Sequence, residues 1–342
     1  MTGLKIQTIS HIQKLSLKII FLIYCILLFP ITLHASVEKD HYPGSFTCKQ
    51  VDSLIQEALS YKTFDIGQYK YLSNQALTLA KKLPCKSQEA LALLHVGSCY
   101  FYEEKFYNAM ACYFGSNDLY TELKNFDGCI ATLSMLVNCY MQINDKSRAY
   151  EYLQKMGLLL PKCLDKISYG KYNYNWSLYY YQTEKLYEAE KASYLSIYYF
   201  EKASALTEAI RALKILGDIK LHKGEFNRSI YSYQLAIDKS VQLGDNWEIA
   251  ILYTRISHVY NLLHNYQEAL KYNIKALKIR EKQGTKELYA SSLINIGGAY
   301  LKLNNYDSAK YYLEKGIAVG RPLNKSFLLE HAYKELYLFY HY

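Results

Sequence analysis

From about residue 50 to the carboxyl end, apolar positions recur at helical spacing, and the same positions return every 40 residues. The stretch LINIGGAYLKLNNYDSAKYYLEKG (293–316) shows the unit. Leu293, Ile296, Gly297 and Tyr300 share one helical face, Asn304 and Asn305 make a polar break, and Ala309, Leu313 and Gly316 share a second face. Two faces of this kind, carrying small residues that let backbones approach, predict a helix hairpin. Three series keep one register along the chain. The first is Tyr100, Tyr140, Tyr180, Lys220, Tyr260, Tyr300 and Tyr340, with one exception to tyrosine. The second, early in the second helix, is Ala109, Ala149, Ala189, Ser229, Ala269 and Ala309. The third, four residues before the first, is Val96, Leu136, Trp176, Leu216, Ile256, Ile296 and Leu336. Together with Gly217 and Gly297 these residues are the predicted seam between helices.

Boundary signals favour long helices. Gly244 followed by Asp245, and Gly284 followed by Thr285, place a carboxyl cap directly before an amino cap. Helices of about 18 residues, about 27 Å long, would fill the unit. The hairpin pattern closely resembles the tetratricopeptide repeat, whose unit is about 34 residues of helix, turn and helix; here the spacing is 40. Long-unit arrays of this kind resemble extracytoplasmic sensor and scaffold proteins of bacteria and the peptide-binding halves of quorum-sensing receptors. The resemblance implies an all-α fold, a right-handed superhelical solenoid of antiparallel helix hairpins. It would cover residues 50–342 as about seven units plus a final lone helix. The first unit, Val51 to Leu83, is degenerate, with Tyr69 where a small residue is expected, as end-capping repeats often are.

The amino end reads differently. Lys5, Lys14 and Lys18 precede the apolar run IIFLIYCILLF (19–29), Pro30 ends it, and LHAS (33–36) offers small residues for cleavage. Residues 1–36 are therefore read as a signal peptide, the rival being an uncleaved amino-terminal anchor, with 37–49 as a leader. Export to the periplasm or beyond follows from that reading. The full chain has 40 Lys and Arg against 31 Asp and Glu, a formal net charge of +9; without the three lysines of the first 36 residues it is +6. Cleavage also removes Cys25, leaving seven of eight cysteines, so at least one stays unpaired. Cys48 and Cys85, which flank the first repeat, form the candidate disulfide. Cys99, Cys112, Cys129 and Cys139 fall on apolar faces and match no zinc spacing.

In tetratricopeptide arrays the first helix of each pair lines the concave face. The resemblance, with units counted from residues 90, 130, 170, 210, 250 and 290, implies a groove of Phe101, Tyr102, Asn138, Tyr174, Leu178, Tyr181, Arg211, Lys214, Asp218 and His258. Such a mixed aromatic and polar wall suits a peptide. Asn138, Asn175, Arg211 and Lys214 fall on three successive first helices, comparable to the residues that clamp a peptide's terminal carboxylate in chaperone-binding members. Ser134 and Ile215 stand where that clamp has basic residues, which puts the clamp itself in doubt.

No phosphate-cradling glycine loop, nucleophile elbow or paired-histidine metal helix is present. The expectation is a non-enzymatic scaffold with no cofactor and no metal, taking a protein or peptide ligand. Interspersed Lys and Glu argue against nucleic acid, and a membrane is involved only if the amino-terminal segment is uncleaved. The alternative is the sensor half of a truncated membrane-spanning signalling regulator. The chain ends in YKELYLFYHY, Tyr333–Tyr342, whose register predicts a seam of Tyr333, Leu336, Tyr337 and Tyr340, with Leu338, Phe339 and Tyr342 added outside it. An aromatic helix of this kind would suit self-association.

Overall fold

The computed structural model describes residues 47–62, 65–284, 286–323 and 326–341, the last helix without the side chains of 326, 327, 331 and 338–341. Residues 1–36, read above as a signal peptide, and nearly all of the expected leader lie outside the described residues, as do Thr285, Tyr342 and the side chains of Leu338, Phe339 and Tyr340. Among the described residues there are fifteen α-helices and no strand. They are α1 (Cys48–Tyr61), α2 (Ile66–Lys82), α3 (Lys86–Tyr102), α4 (Phe106–Glu122), α5 (Phe126–Gln142), α6 (Lys146–Leu159), α7 (Lys166–Gln182) and α8 (Leu186–Lys202). The series continues through α9 (Leu206–His222), α10 (Phe226–Leu243), α11 (Asn246–Leu262), α12 (Tyr266–Gln283), α13 (Lys286–Lys302), α14 (Tyr306–Gly320) and α15 (Ser326–His341). Consecutive helices pair as antiparallel hairpins, each stacked on the next, which makes a helical solenoid.

The 40-residue unit resolves into two halves of 20. Most helices have 17 residues, and the middle of the intervening turn takes the left-handed conformation. Glu104, Lys124, Asn144, Glu184, Ser204, Gly224, Gly244, His264, Gly284 and Asn304 all have φ between 53° and 74°. The following amide closes the turn onto the carbonyl five residues back, as in Lys105 to Tyr100 at 2.9 Å and Asn265 to Tyr260 at 2.9 Å. This satisfies carbonyls that a helix end leaves open. Connections that contain proline depart from the rule, the one at Pro84 closing with the Cys85 amide on the Leu83 carbonyl at 2.7 Å. Pro161 and Pro322 instead sit in short 3-10 turns, Leu160–Lys162 and Arg321–Leu323. Pro lacks the amide that the usual closure needs.

The seam series are buried as hairpin contacts. Ala109, Ala149, Ala189, Ser229, Ala269 and Ala309 are fully enclosed. A Cβ added at Gly217 would lie 2.3 Å from the Tyr233 ring, and one at Gly297 would lie 2.6 Å from Leu313. Where serine replaces the small residue its hydroxyl is consumed across the hairpin: Ser177 donates to the Ala189 carbonyl and Ser257 to that of Ala269. The tyrosine series stacks on the partner helix, Tyr140 on Tyr152, Tyr260 on Tyr272 and Tyr300 on Tyr312, with centroids 5.2–5.6 Å apart. Lys220, the exception, is also buried, and its ammonium meets Glu190 at 2.5 Å and Glu225 at 2.8 Å. The Cys48–Cys85 disulfide joins the start of α1 to the start of α3. Cys99, Cys112, Cys129, Cys139 and Cys163 are free thiols.

The last helix differs from its predicted seam. Leu328 and Ala332 are buried and Leu336 packs beside them, while Tyr333 and Tyr337 are 47% and 61% exposed. Positions 328, 332 and 336 lie four apart on one helical face, and Tyr333 and Tyr337 are each one residue, or about 100°, off it.

Candidate functional site

The helices that open each hairpin share one face of the array, and a cavity of about 280 Å³ is sunk into it. Its polar lining comes from five elements: Lys62 just past α1, His95 on α3, Asn138 on α5, Lys171 and Tyr174 on α7, and Glu208 and Arg211 on α9. Turn chemistry places them. A repeat of 40 residues brings every first helix back to one phase, so side chains one or two helical turns apart on neighbouring helices face a common space.

The cavity holds more cation than anion. Burial and the neighbouring Arg211 guanidinium push the Lys62 ammonium down to about 8. Burial lowers Lys171 as well, partly opposed by Glu208. His95 is pushed down to about 4, first by burial and then by Lys62, and its Nδ1 meets the Tyr69 hydroxyl at 2.9 Å. Each of these shifts means that the charged form lacks compensation where it stands, so an anion entering the cavity would be attracted by three cations and opposed by Glu208 alone.

The residues proposed from helical phase fall in several places. Asn138, Tyr174 and Arg211 come together in this cavity. Asn175 does not face it. It is completely buried, and its Nδ2 donates to Ser134 Oγ at 2.6 Å and to the Lys171 carbonyl at 2.8 Å, because its position points between α5 and α7. Lys214 is engaged by Glu248 at 2.5 Å. Asp218 accepts from Arg255 at 2.5 Å and from the Tyr233 hydroxyl at 2.5 Å. Tyr181 packs edge-on against His222, and Phe101 against Tyr102 and Phe106. Leu178 is half-buried. His258 lines a second cavity of about 480 Å³, further along between α9 and α13.

Helical phase as counted from the family does not point to Lys62, His95, Lys171 or Glu208. Lys171 is one turn before Tyr174 and Glu208 one turn before Arg211, so extending each helix face backward would have found them. Lys62 has no such signal, since it arrives through the closure of the first hairpin. Among the described residues no group of three His, Cys, Asp or Glu side chains is placed to hold a metal ion, and no helix is long and apolar enough to cross a membrane.

Stacked antiparallel hairpins with a cavity cut into the face of their first helices define a helical-repeat scaffold. The tetratricopeptide repeat model matches residues 248–321, and the same hairpin geometry runs through the other described units. Residues 248–321 are thus tetratricopeptide repeat by sequence, and the described array as a whole has the tetratricopeptide-like solenoid fold. Response regulator aspartate phosphatase E of Bacillus subtilis (strain 168) is 29% identical over 125 residues, a match covering 36% of this chain and 31% of that protein. Two solved structures share the fold. One is a signal transduction ATPase with numerous domains carrying a tetratricopeptide repeat sensor, from Pyrococcus horikoshii, with TM-score 0.66 and 17% identity over 82% of this chain and 43% of that one. The other is a Rap protein complexed with competence and sporulation factor, with TM-score 0.56 and 14% identity over 83% of this chain and 80% of that one. At these identities the likeness carries the fold. The match to the curated relative spans about a third of that protein's length.

Proposed function

We propose that this protein is a non-enzymatic scaffold that grips a peptide or protein segment along the face of its first helices, with an acidic group of the ligand seated between Lys62, Lys171 and Arg211. The observation that carries the reading is the desolvated, cation-rich cavity built by α1, α3, α5, α7 and α9. Burying lysines without matched carboxylates is unfavourable in isolation. It becomes favourable when the ligand supplies the anion. That a Rap protein of the same fold was solved in complex with competence and sporulation factor agrees with ligand capture on such a scaffold.

We further place the protein outside the cytoplasm. The basic and apolar amino-terminal pattern supports export, and the Cys48–Cys85 disulfide is the bond expected of an oxidising compartment. A second reading makes the chain the sensing part of a larger signalling protein. It is favoured by the shared fold with the tetratricopeptide repeat sensor from Pyrococcus horikoshii, in which the matched region is 43% of the chain. Self-association through the terminal helix, on which Tyr333 and Tyr337 are exposed, belongs to the same proposal.

A peptide array of random acidic, basic and neutral decamers probed with the purified protein tests the reading. Acidic peptides should be retained, and K171E combined with R211E should abolish retention, while Y187A on an exposed outer position should not. Retention indifferent to the double charge reversal would overturn the assignment of this cavity.

A further inference from the structure

The second cavity carries a different signal. Arg280, on α12, is 4% exposed, so it is a core residue. At the same register position the other described units carry Ala80, Tyr120, Phe200, Ser240 and Gly320, all buried and none charged, while Leu160 falls in a 3-10 turn. The Arg280 guanidinium donates to Ser292 Oγ at 2.6 Å, to the Leu288 carbonyl at 3.4 Å and to Thr254 Oγ1 at 3.0 Å. All three acceptors are neutral, and its Nε–H is enclosed without a partner. No carboxylate reaches it among the described residues. Burial pushes its pKa down to about 10 with no neighbouring charge to oppose it.

Lys220 supplies the contrast within the same molecule. It too is a buried cation at a register position held elsewhere by an uncharged residue, and it has two carboxylates. Arg255, beside Arg280 in the cavity, has Asp218. Arg280 alone of these three has no counter-charge, although leaving a buried charge unpaired is strongly destabilising.

The cavity it lines has about 480 Å³ and is polar on several sides, with His258, Asn261, Asn273 and Asn295 in its wall. Asn273 is a second departure from the repeat: its register position holds Ser73, Tyr113, Leu153, Ser193, Tyr233 and Leu313 in the other units, none with a side-chain amide. The Asn261 Oδ1 is an acceptor enclosed without a donor. An occupant that satisfies the site therefore brings one negative charge for Arg280 and an N–H donor for the Asn261 side-chain oxygen. We propose that this cavity is a binding site for a peptidic carboxylate, that is, a carboxylate carried on a chain that also presents amide N–H groups, with Arg280 as its cation. The site lies on helices α11, α12 and α13 and does not depend on the reading of the first cavity.

The test follows the Arg280 side chain directly in the full chain. With arginine labelled by ¹⁵N, the Nε–H resonance of Arg280 is assigned by its disappearance in R280K, whose retained charge and melting curve check that the fold survives. Three probes are titrated: N-acetylglycine, which offers a terminal carboxylate, N-acetylglutamate α-amide, which offers a side-chain carboxylate, and the neutral N-acetylglutamine α-amide. Saturable displacement of the Arg280 resonance by either acidic probe, with the neutral one leaving it in place, is the expected result. The acidic probe that acts identifies which source of carboxylate the site takes. R280K should weaken that probe by about tenfold or more in calorimetry, because lysine lacks the planar set of donors. Y187A, on an exposed outer position, should leave it unchanged, and because the Arg280 resonance reports this site alone, failure of the first reading and failure of this one are separable. An unmoved resonance with both acidic probes, an equal shift with the neutral probe, or a stronger response to inorganic phosphate than to either carboxylate would each overturn the proposal.

Discussion

Replacing Cys48 and Cys85 together by serine should loosen one end of the array and leave the rest intact. The disulfide closes a separation of 37 residues around the whole first hairpin, with its Cα atoms 5.7 Å apart. In the chain-entropy treatment, closing about 37 residues removes about 13 cal/mol/K from the unfolded ensemble, or about 4 kcal/mol at 25 °C. Val51, Ile55 and Ala58 still bury the inner face of α1 against α2 and α3, so the helix should remain docked at rest. Units of a repeat array contact only their neighbours, so the loss falls on the opening of α1 and α2 rather than on every helix. Native-state hydrogen exchange read by mass spectrometry resolves this. Amides in the middle of α1 should exchange roughly 10² to 10³ times faster in the double serine variant, about 1.4 kcal/mol being tenfold. Those of α10 to α13 should not change. If α1 protection is unaltered, or if protection falls equally along the whole chain, the argument from loop closure and local cooperativity is wrong.

Three further outcomes follow from the packing and the charges. Gly217→Ala should destabilise by about 1–3 kcal/mol in urea unfolding, because the new Cβ meets the buried Tyr233 ring, whose hydroxyl is tied to Asp218. Gly115→Ala, whose Cβ meets only Leu93 at an ordinary 3.5 Å, should be neutral or stabilising by up to about 1 kcal/mol. His95 is held neutral in the folded protein, with its pKa lowered from about 6.5 to about 4, so the unfolded chain takes up the proton first. Stability should fall as pH drops from about 6.5 toward 4 and level off below, and His95→Gln should remove that segment of a pH-dependent unfolding curve. Glu225 is held down to about 2 by Lys220, Lys223 and Arg228. Its contribution is therefore complete above the ordinary glutamate range, near pH 4.5, and is lost as pH falls through about 2. Lys220→Met should shrink that acid loss in the same titration.

Much of the architecture was determined by the sequence alone. A register of 40 residues with a small side chain at 109, 149, 189, 229, 269 and 309 leaves little choice but close-packed hairpins, since these positions are fully enclosed and a larger side chain would push the helices apart. Gly244 with Asp245 marked a helix boundary that the structure has, Gly244 in the left-handed conformation and Asp245 accepting from the Glu248 amide. Local rules of this kind are written within a few residues of where they act. The half-unit of 20 was less legible, because five of the seven non-glycine left-handed turn residues differ in identity from the asparagine that could have announced them at Asn144 and Asn304, and the conformation is imposed by the helices on either side. Helical phase from one unit brought Asn138, Tyr174 and Arg211 to one cavity, yet could not tell that Asn175 would be used up between helices or Lys214 taken by Glu248. Only the tertiary structure decided which cations find carboxylates. Lys220 and Arg280 look alike as single basic residues at core positions of the repeat. Their difference lies in side chains brought in from helices far apart in sequence: Glu190, 30 residues before Lys220, reaches it, and among the described residues no carboxylate reaches Arg280.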